Sequence, residues 1–402
     1  MAQSGLEDSL QNILSKSKND KQYIDKSHDL VDQFMFSNPD MARRLLIKTI
    51  TKGQQINYQK GVADAYAKLG VYYVITNNMP LAENYFEQAI SILSSLPDEQ
   101  EALAKTYNNL GLMHRKLGNY PMALENFEKA EEIAITLEDQ TILYSIYNNE
   151  GLVYKNIGDL ESAVQAFIKS LSLKEETDDL AGVALTRSNI ANLYFQQGQF
   201  ELSRETNFES LDIFRSLNSD KYLGNAHFNI ATSYLSEDKL DSAIIYYDSA
   251  TFYYNKSTDV QGLAATQLNL ARVYHEKKKY AESLVYAEEA LDYFTSSSAK
   301  SLLASTYIII ADNHNKLGKQ ELMLENLLKG ISLANAINDT KNLMDIYNLL
   351  FEHYQSIGDY EKALENHVAY AEKRVEFFNL EKNKIDQIMN KYQLDKKEKE
   401  NE

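Results

Sequence analysis

The chain has 402 residues, 44% hydrophobic and 25% charged, with a formal net charge of −17. It contains no cysteine, which excludes disulfides, thiolate metal sites and cysteine nucleophiles, and its acidic excess argues against a nucleic-acid-binding surface. Only 15 glycines and 4 prolines interrupt it, too few breakers for a loop-rich β-sandwich or a disordered chain, so helix is expected throughout.

In chain order, Met1 to Leu10 has neither a basic start nor an apolar run, so it is no intact signal peptide. Ala2-Gln3-Ser4 suits a mature N-terminus left by signal peptidase, and equally an ordinary cytosolic start. Residues 1–22 read as an N-terminal extension or capping helix. No stretch approaches 18 consecutive apolar residues, so no transmembrane helix is expected.

The main signal is internal self-similarity. Asn109-Leu110-Gly111-Leu112-Met113-His114 is echoed by Asn149-Glu150-Gly151-Leu152-Val153-Tyr154. Asn189-Ile190-Ala191, Asn229-Ile230-Ala231 and Asn269-Leu270-Ala271 continue the series, each with a tyrosine three residues on. The small residue recurs every 40 positions, extends to Ala311, gives way to Phe351, and falls upstream on Gly70 and weakly on Leu30. Nine units follow, near 21–60, 61–101, 102–141, 142–181, 182–221, 222–261, 262–301, 302–341 and 342–375. Unit 102–141 shows the pattern within a unit. Leu103, Tyr107, Leu110, Gly111 and His114 make an amphipathic helix A, Gly118-Asn119 breaks it, and Tyr120, Ala123, Phe127, Ala130 and Ile133 make helix B. Small residues at 111 and 123 are expected where the two helices cross closely.

Small residue, Tyr three on, Gly before the turn and Ala in helix B resemble the tetratricopeptide-repeat (TPR) signature, carried in one unit by Gly151, Tyr154, Gly158, Ala163 and Phe167. The resemblance covers about residues 23–375, with a 40-residue step longer than the usual 34. It implies an all-α, right-handed α-solenoid of about nine helix-turn-helix units, and a groove lined by helices A that holds a peptide or protein. Asp238 and Lys278 replace the turn glycine and Phe351 the small residue, so those units are expected to pack less regularly.

Under that resemblance Asn109, Asn149, Asn189, Asn229 and Asn269 look into the groove, where amides can grip an extended backbone. Satisfying a neighbouring helix is the alternative role. Lys105, Arg115, Lys155 and Arg272 stand one turn away, where they either pair with an acidic partner or simply solvate helix faces. The run Ile244 to Tyr254 is a second candidate surface, with Tyr247 in a core slot. No Walker loop, GxGxxG, HExxH or GxSxG occurs, and no catalytic residue, metal site or cofactor is expected. His114 and His314 take the consensus tyrosine slot and read as core residues. Glu131-Glu132 and Glu288-Glu289 read as solvated faces.

Beyond Ala371, Val375, Phe378, Ile385, Ile388, Met389 and Tyr392 lie at helical spacing among Lys and Glu. Residues 376–402 are therefore expected to form a charged helix leaving the array, at most a weak coiled coil for self-association. Residues 385–400 resemble the charged stretch that follows TPR arrays in Bacteroidetes-type membrane sensors, ahead of a membrane helix and a histidine kinase or LuxR-type output. That resemblance implies an extracytoplasmic sensor region, attached to the membrane only through an adjoining helix. The alternatives are a cytosolic adaptor or peptide-pheromone receptor, or the repeat region of a larger enzyme.

Overall fold

The computed structural model describes residues 17–297 and 299–401, with side chains described as far as Leu380. Among the described residues there are 18 α-helices, one short 3-10 turn and no strand. The first eight helices are α1 (Asp20–Phe34), α2 (Pro39–Gln55), α3 (Gln59–Ile75), α4 (Met79–Leu93), α5 (Gln100–Lys116), α6 (Tyr120–Thr136), α7 (Gln140–Ile157) and α8 (Leu160–Glu176). They form one compact unit, which ends at Thr177. A second unit runs from Asp178 to Met389. It contains α9 (Leu180–Gln196), α10 (Phe200–Ser216), α11 (Asp220–Ser236), α12 (Leu240–Ser257), α13 (Val260–Glu276), α14 (Tyr280–Ser296), α15 (Lys300–Lys316), α16 (Gln320–Ala336) and α17 (Thr340–Ser356). The last helix, α18 (Tyr360–Asn401), begins there too.

Odd-numbered helices are the A helices and even-numbered ones the B helices. From α1 to α16 each A packs on its own B, and within each unit successive A helices also touch one another, whereas successive B helices make no comparable contact. The A helices therefore form the inner layer of each unit. All four prolines stand where a helix begins, in the first turns of α2, α4 and α6 and at the 3-10 turn Pro97–Glu99. There the missing N–H has no intrahelical partner to lose.

The 40-residue register is a size-matching rule. A methyl group placed on Gly70, Gly111 or Gly151 would lie 2.6, 2.5 or 2.8 Å from the ring of Phe86, Phe127 or Phe167 on the following helix B. Ala231 faces the fully buried Tyr247, while Ala271 packs with Ala287. Phe351, which takes the small slot of the last repeat, meets the ring of His367 at 4.6 Å. Helix α10 departs from the pattern. Asn207 fills its aromatic slot, fully buried, with Nδ2 donating to the Ser203 carbonyl and Oδ1 unpartnered among the described residues.

The turns hold their geometry even where glycine is missing. Gly118, Gly158, Gly198, Gly318 and Gly358 have φ between +72° and +87°, and Asp238 and Lys278 adopt +58° and +59° at the equivalent positions. The substitutions therefore leave the turn in place and strain it. Thr258, in a turn from helix B to helix A, has φ +56°, where its branched side chain crowds its own backbone. Thr258→Gly is expected to raise stability by about 1 kcal/mol, read as a higher urea midpoint. An unchanged or lower midpoint would show the strain to be relieved by contacts of the threonine.

The charged tail is not a separate helix. It continues helix B of the last repeat as the single 42-residue α18, because no Gly or Pro interrupts Tyr360–Asn401.

Candidate functional site

In the first unit, three A helices, α1, α3 and α5, line an open cleft of about 880 Å³. Asp25, His28, Asp29 and Asp32 enter it from α1, Asp64 and Lys68 from α3, and Lys105 and Asn109 from α5. Asp98 and Glu99 reach it from the 3-10 turn. Its lysines are already engaged: Lys60 with Glu99 at 2.8 Å, Lys68 with Asp32, and Lys105 with Glu101. Burial pushes the Asp64 carboxyl up to about 6, against the pull of Lys60 and Lys68. Burial, helped by Lys68, pushes His28 down to about 4, so its imidazole is neutral at pH 7.

The asparagines at the 40-residue positions do not share one environment. Asn149 is buried and donates its amide to Asn108 Oδ1 on α5 at 2.9 Å. Asn269 accepts from Arg272 Nη1 at 3.1 Å on its own helix. Asn109, Asn189 and Asn229 are partly exposed, and their side chains make no hydrogen bond among the described residues. Of the basic residues, Lys105 pairs with Glu101 one turn back, Arg115 and Lys155 are half-buried, and Arg272 is exposed.

In the second unit His275 bridges two A helices. Its Nε2 lies 3.1 Å from Asp312 Oδ2 and its Nδ1 2.8 Å from Asn313 Oδ1, both on α15. Two acceptors favour the doubly protonated ring, and the Asp312 hydrogen bond raises its pKa. Asn313 then donates to Ser283 Oγ at 2.7 Å, tying helix B α14 into the network. His114 and His314 are buried in their repeat slots. In the tyrosine run, Tyr247 and Tyr254 are buried, and His227 stacks on Tyr246 and Tyr253. Phe252 alone of that run's rings stands well exposed, at 62%.

Neither His28 nor the carboxylates of the first repeat were expected as site residues. The available signal is Asp25, His28, Asp29 and Asp32 at three- and four-residue spacing, one charged face on α1.

Stacked two-helix repeats with a small-for-large register and an inner layer of A helices define an α-helical repeat protein. Tetratricopeptide-repeat profiles match residues 63–92, 102–176, 182–256 and 263–293, together just over half of the sequence. The chain belongs to the tetratricopeptide-repeat family, whose stacked repeats present extended concave surfaces for binding.

Among solved structures, the apo form of RapI is similar with a TM-score of 0.71 at 13% identity, over 89% of this chain and 98% of that one. The apo form of the quorum sensor NprR from B. thuringiensis reaches 0.61 at 15% identity, over 89% and 100%. A STAND protein with a tetratricopeptide repeat sensor, from Pyrococcus horikoshii, reaches 0.62 at 16% identity, over 82% and 52%. At such identities the likeness is one of fold. No curated protein sequence matches the chain significantly. Among the described residues, no helix is long and apolar enough to cross a membrane.

Proposed function

We propose that the chain is a non-catalytic binding module that holds an extended peptide or protein segment against its A helices. The observation that carries this reading is the pair of free amides in the second unit. Asn189 and Asn229 stand one repeat apart on α9 and α11, partly exposed and without a side-chain hydrogen bond among the described residues. An unengaged amide at an inner-layer position offers an NH2 donor group and a carbonyl acceptor to a passing backbone, whatever that backbone's sequence. Arg272, exposed on the next A helix but one from Asn189, adds a cation within the same unit.

Within this class the receptor reading is favoured. Proteins of this fold include one named as a quorum sensor and a Rap protein complexed with competence and sporulation factor, the latter at a TM-score of 0.53. The reading as a membrane sensor region rests on residues 1–4 and on the side chains of 385–400, all outside the described residues. Its test is the gene beyond Glu402, where an apolar run of about 20 residues followed by kinase or DNA-binding motifs is required.

The binding test is a double change. Asn189→Ala with Asn229→Ala is expected to weaken a partner recovered by pull-down about five- to a hundredfold in titration, at about 0.5–1.5 kcal/mol per amide. The urea midpoint should not move. Asn149→Ala is the contrasting control: it breaks the bond to Asn108 and should lower stability. Equal affinity of parent and double variant would move the binding face elsewhere, first to the exposed surface around Phe252.

A further inference from the structure

We propose that α18 pairs with α18 of a second copy of this chain as a parallel, in-register, two-stranded coiled coil. This goes beyond the binding-module reading and stands or falls independently of it.

The helix carries two stripes. Ala363 is buried and Asn366, Tyr370, Lys373 and Phe377 are partly buried, so the first stripe is turned to the array. Thr340 and Phe351 of α17 reach its two flanks, at Glu376 and His367. Leu364, Val368, Ala371, Val375 and Phe378 form the second stripe. All five are exposed, the four larger ones by 48–64%. At about 3.6 residues per turn the two stripes lie nearly opposite each other, so the last repeat leaves the second one open.

The spacing of the open stripe says what covers it. Its five residues step by 4, 3, 4 and 3. The sequence keeps those steps through Lys382, Ile385, Met389 and Tyr392, while the helix runs on to Asn401. A strict seven-residue repeat held over about four heptads keeps one seam facing one long partner helix, which a stack of short helices does not require. The seam begins at Leu364, within the last repeat, and is therefore longer than the charged tail alone suggested. Its partner must match that length. Every other described α-helix has 15 to 18 residues and α18 has 42, so among the described residues only a second α18 offers a seam as long.

The seam also suits its own copy. In its heptad frame Val368, Val375 and Met389 fall at a, and Leu364, Phe378 and Ile385 at d. Branched residues at a with leucine at d favour two strands, and a single lysine at a, here Lys382, fixes the register at some cost in stability. In the parallel pair Glu381 at g would face Asp386 at e of the second copy, a contact of like charges. Lys382 lies beside both positions and supplies the counter-charge. A slip of one heptad would set one lysine beside Arg374 of the other copy and the second lysine beside Ile388, so the charges select the in-register pair.

The test uses the full chain, whose lack of cysteine makes a single introduced thiol unambiguous. Sedimentation velocity from about 1 to 100 µM should show a monomer–dimer equilibrium. Val375→Glu with Phe378→Glu should weaken dimerisation about tenfold or more. Leu380→Glu with Gln387→Glu, both at position f, should change it less than about twofold. Circular dichroism should show both variants folded like the parent. Val368→Cys should give a disulfide-linked dimer under mild oxidation, and Leu380→Cys should not. Lys382→Val should tighten the pair, and weaker association would overturn the heptad frame. A monomer at all concentrations would overturn the proposal, as would a dimer that the f variant weakens as much as the seam variant. A dimer that Val368→Cys does not cross-link would overturn the parallel pairing. Binding of a monomeric chain to phosphatidylglycerol vesicles, lost in Val375→Glu with Phe378→Glu, would give the stripe to a membrane surface and overturn the proposal as well.

Discussion

Shortening Phe167 to alanine is expected to destabilise the first unit by about 3–5 kcal/mol, the largest effect of any single truncation considered. The ring is fully buried, and its atoms come within 2.8 Å of where a β-carbon on Gly151 would stand. Glycine 151 exists to admit this ring, so nothing on α7 can swing in to fill the void. The converse change, Gly151→Leu, drives a side chain into the ring and should cost about 1–3 kcal/mol. The two sites must therefore couple. Gly151→Ala should be clearly less costly in a Phe167→Leu background than in the parent, a non-additivity expected only of residues in contact. Urea unfolding of the four proteins of that cycle, followed by circular dichroism, reads it directly. Additive effects would mean that the small-for-large pairing is not what sets the 40-residue register.

Replacing Glu150 with leucine is expected to stabilise the protein, and to do so more at pH 8 than at pH 5. Glu150 occupies the slot held by Leu69, Leu110, Ile190, Ile230, Leu270, Ile310 and Leu350 in the other repeats, all of them buried. Burial pushes its carboxyl up to about 7, Glu131 and Glu128 add to the rise, and Lys169 offsets it in part. Glu131 is held in place by the Tyr147 hydroxyl, which donates to it at 2.7 Å. A carboxyl whose pKa is higher in the folded state than in the unfolded state binds its proton more tightly when folded. Stability then falls as pH rises from about 4.5 to about 7 and is level above that range. The loss across the window is roughly 2–3 kcal/mol. Leucine abolishes this titration and restores the apolar contact. Urea midpoints at pH 5 and pH 8 should therefore differ less in Glu150→Leu than in the parent. A parallel decline in both proteins would assign the pH dependence to other groups.

The repeat register was legible because each A–B crossing imposes the same steric demand, and that demand can be met only by residue size. Gly111 with Phe127 and Gly151 with Phe167 carry it in the sequence, and the packing follows. The unusual turns were legible as substitutions but not in their consequence. Asp238 and Lys278 were expected to make packing less regular, yet they adopt the left-handed backbone that the neighbouring helices require. The cleft was not legible. Asp25, Asp29 and Asp32 belong to the weakest repeat and have no acidic counterpart 40 residues on, whereas Asp98-Glu99 is one of a series of acidic turns, with Glu138-Asp139 and Asp178-Asp179, and so marks no single repeat.

The sequence by itself determined the helices, their pairing and the residues that meet at each crossing. These depend on local spacing and side-chain size, which repeat along the chain. Only the tertiary structure decided the role of each polar residue at a repeated position. Asn149 and Asn189 stand at the same place in their repeats, but one is spent on Asn108 and the other is free. His28 must donate from Nε2 only because Thr49, on the next helix, has already given its proton to Leu46. A hydrogen-bonding group is used or available according to what its neighbours have left it, and those neighbours are set by packing between helices and not by the order of residues within one.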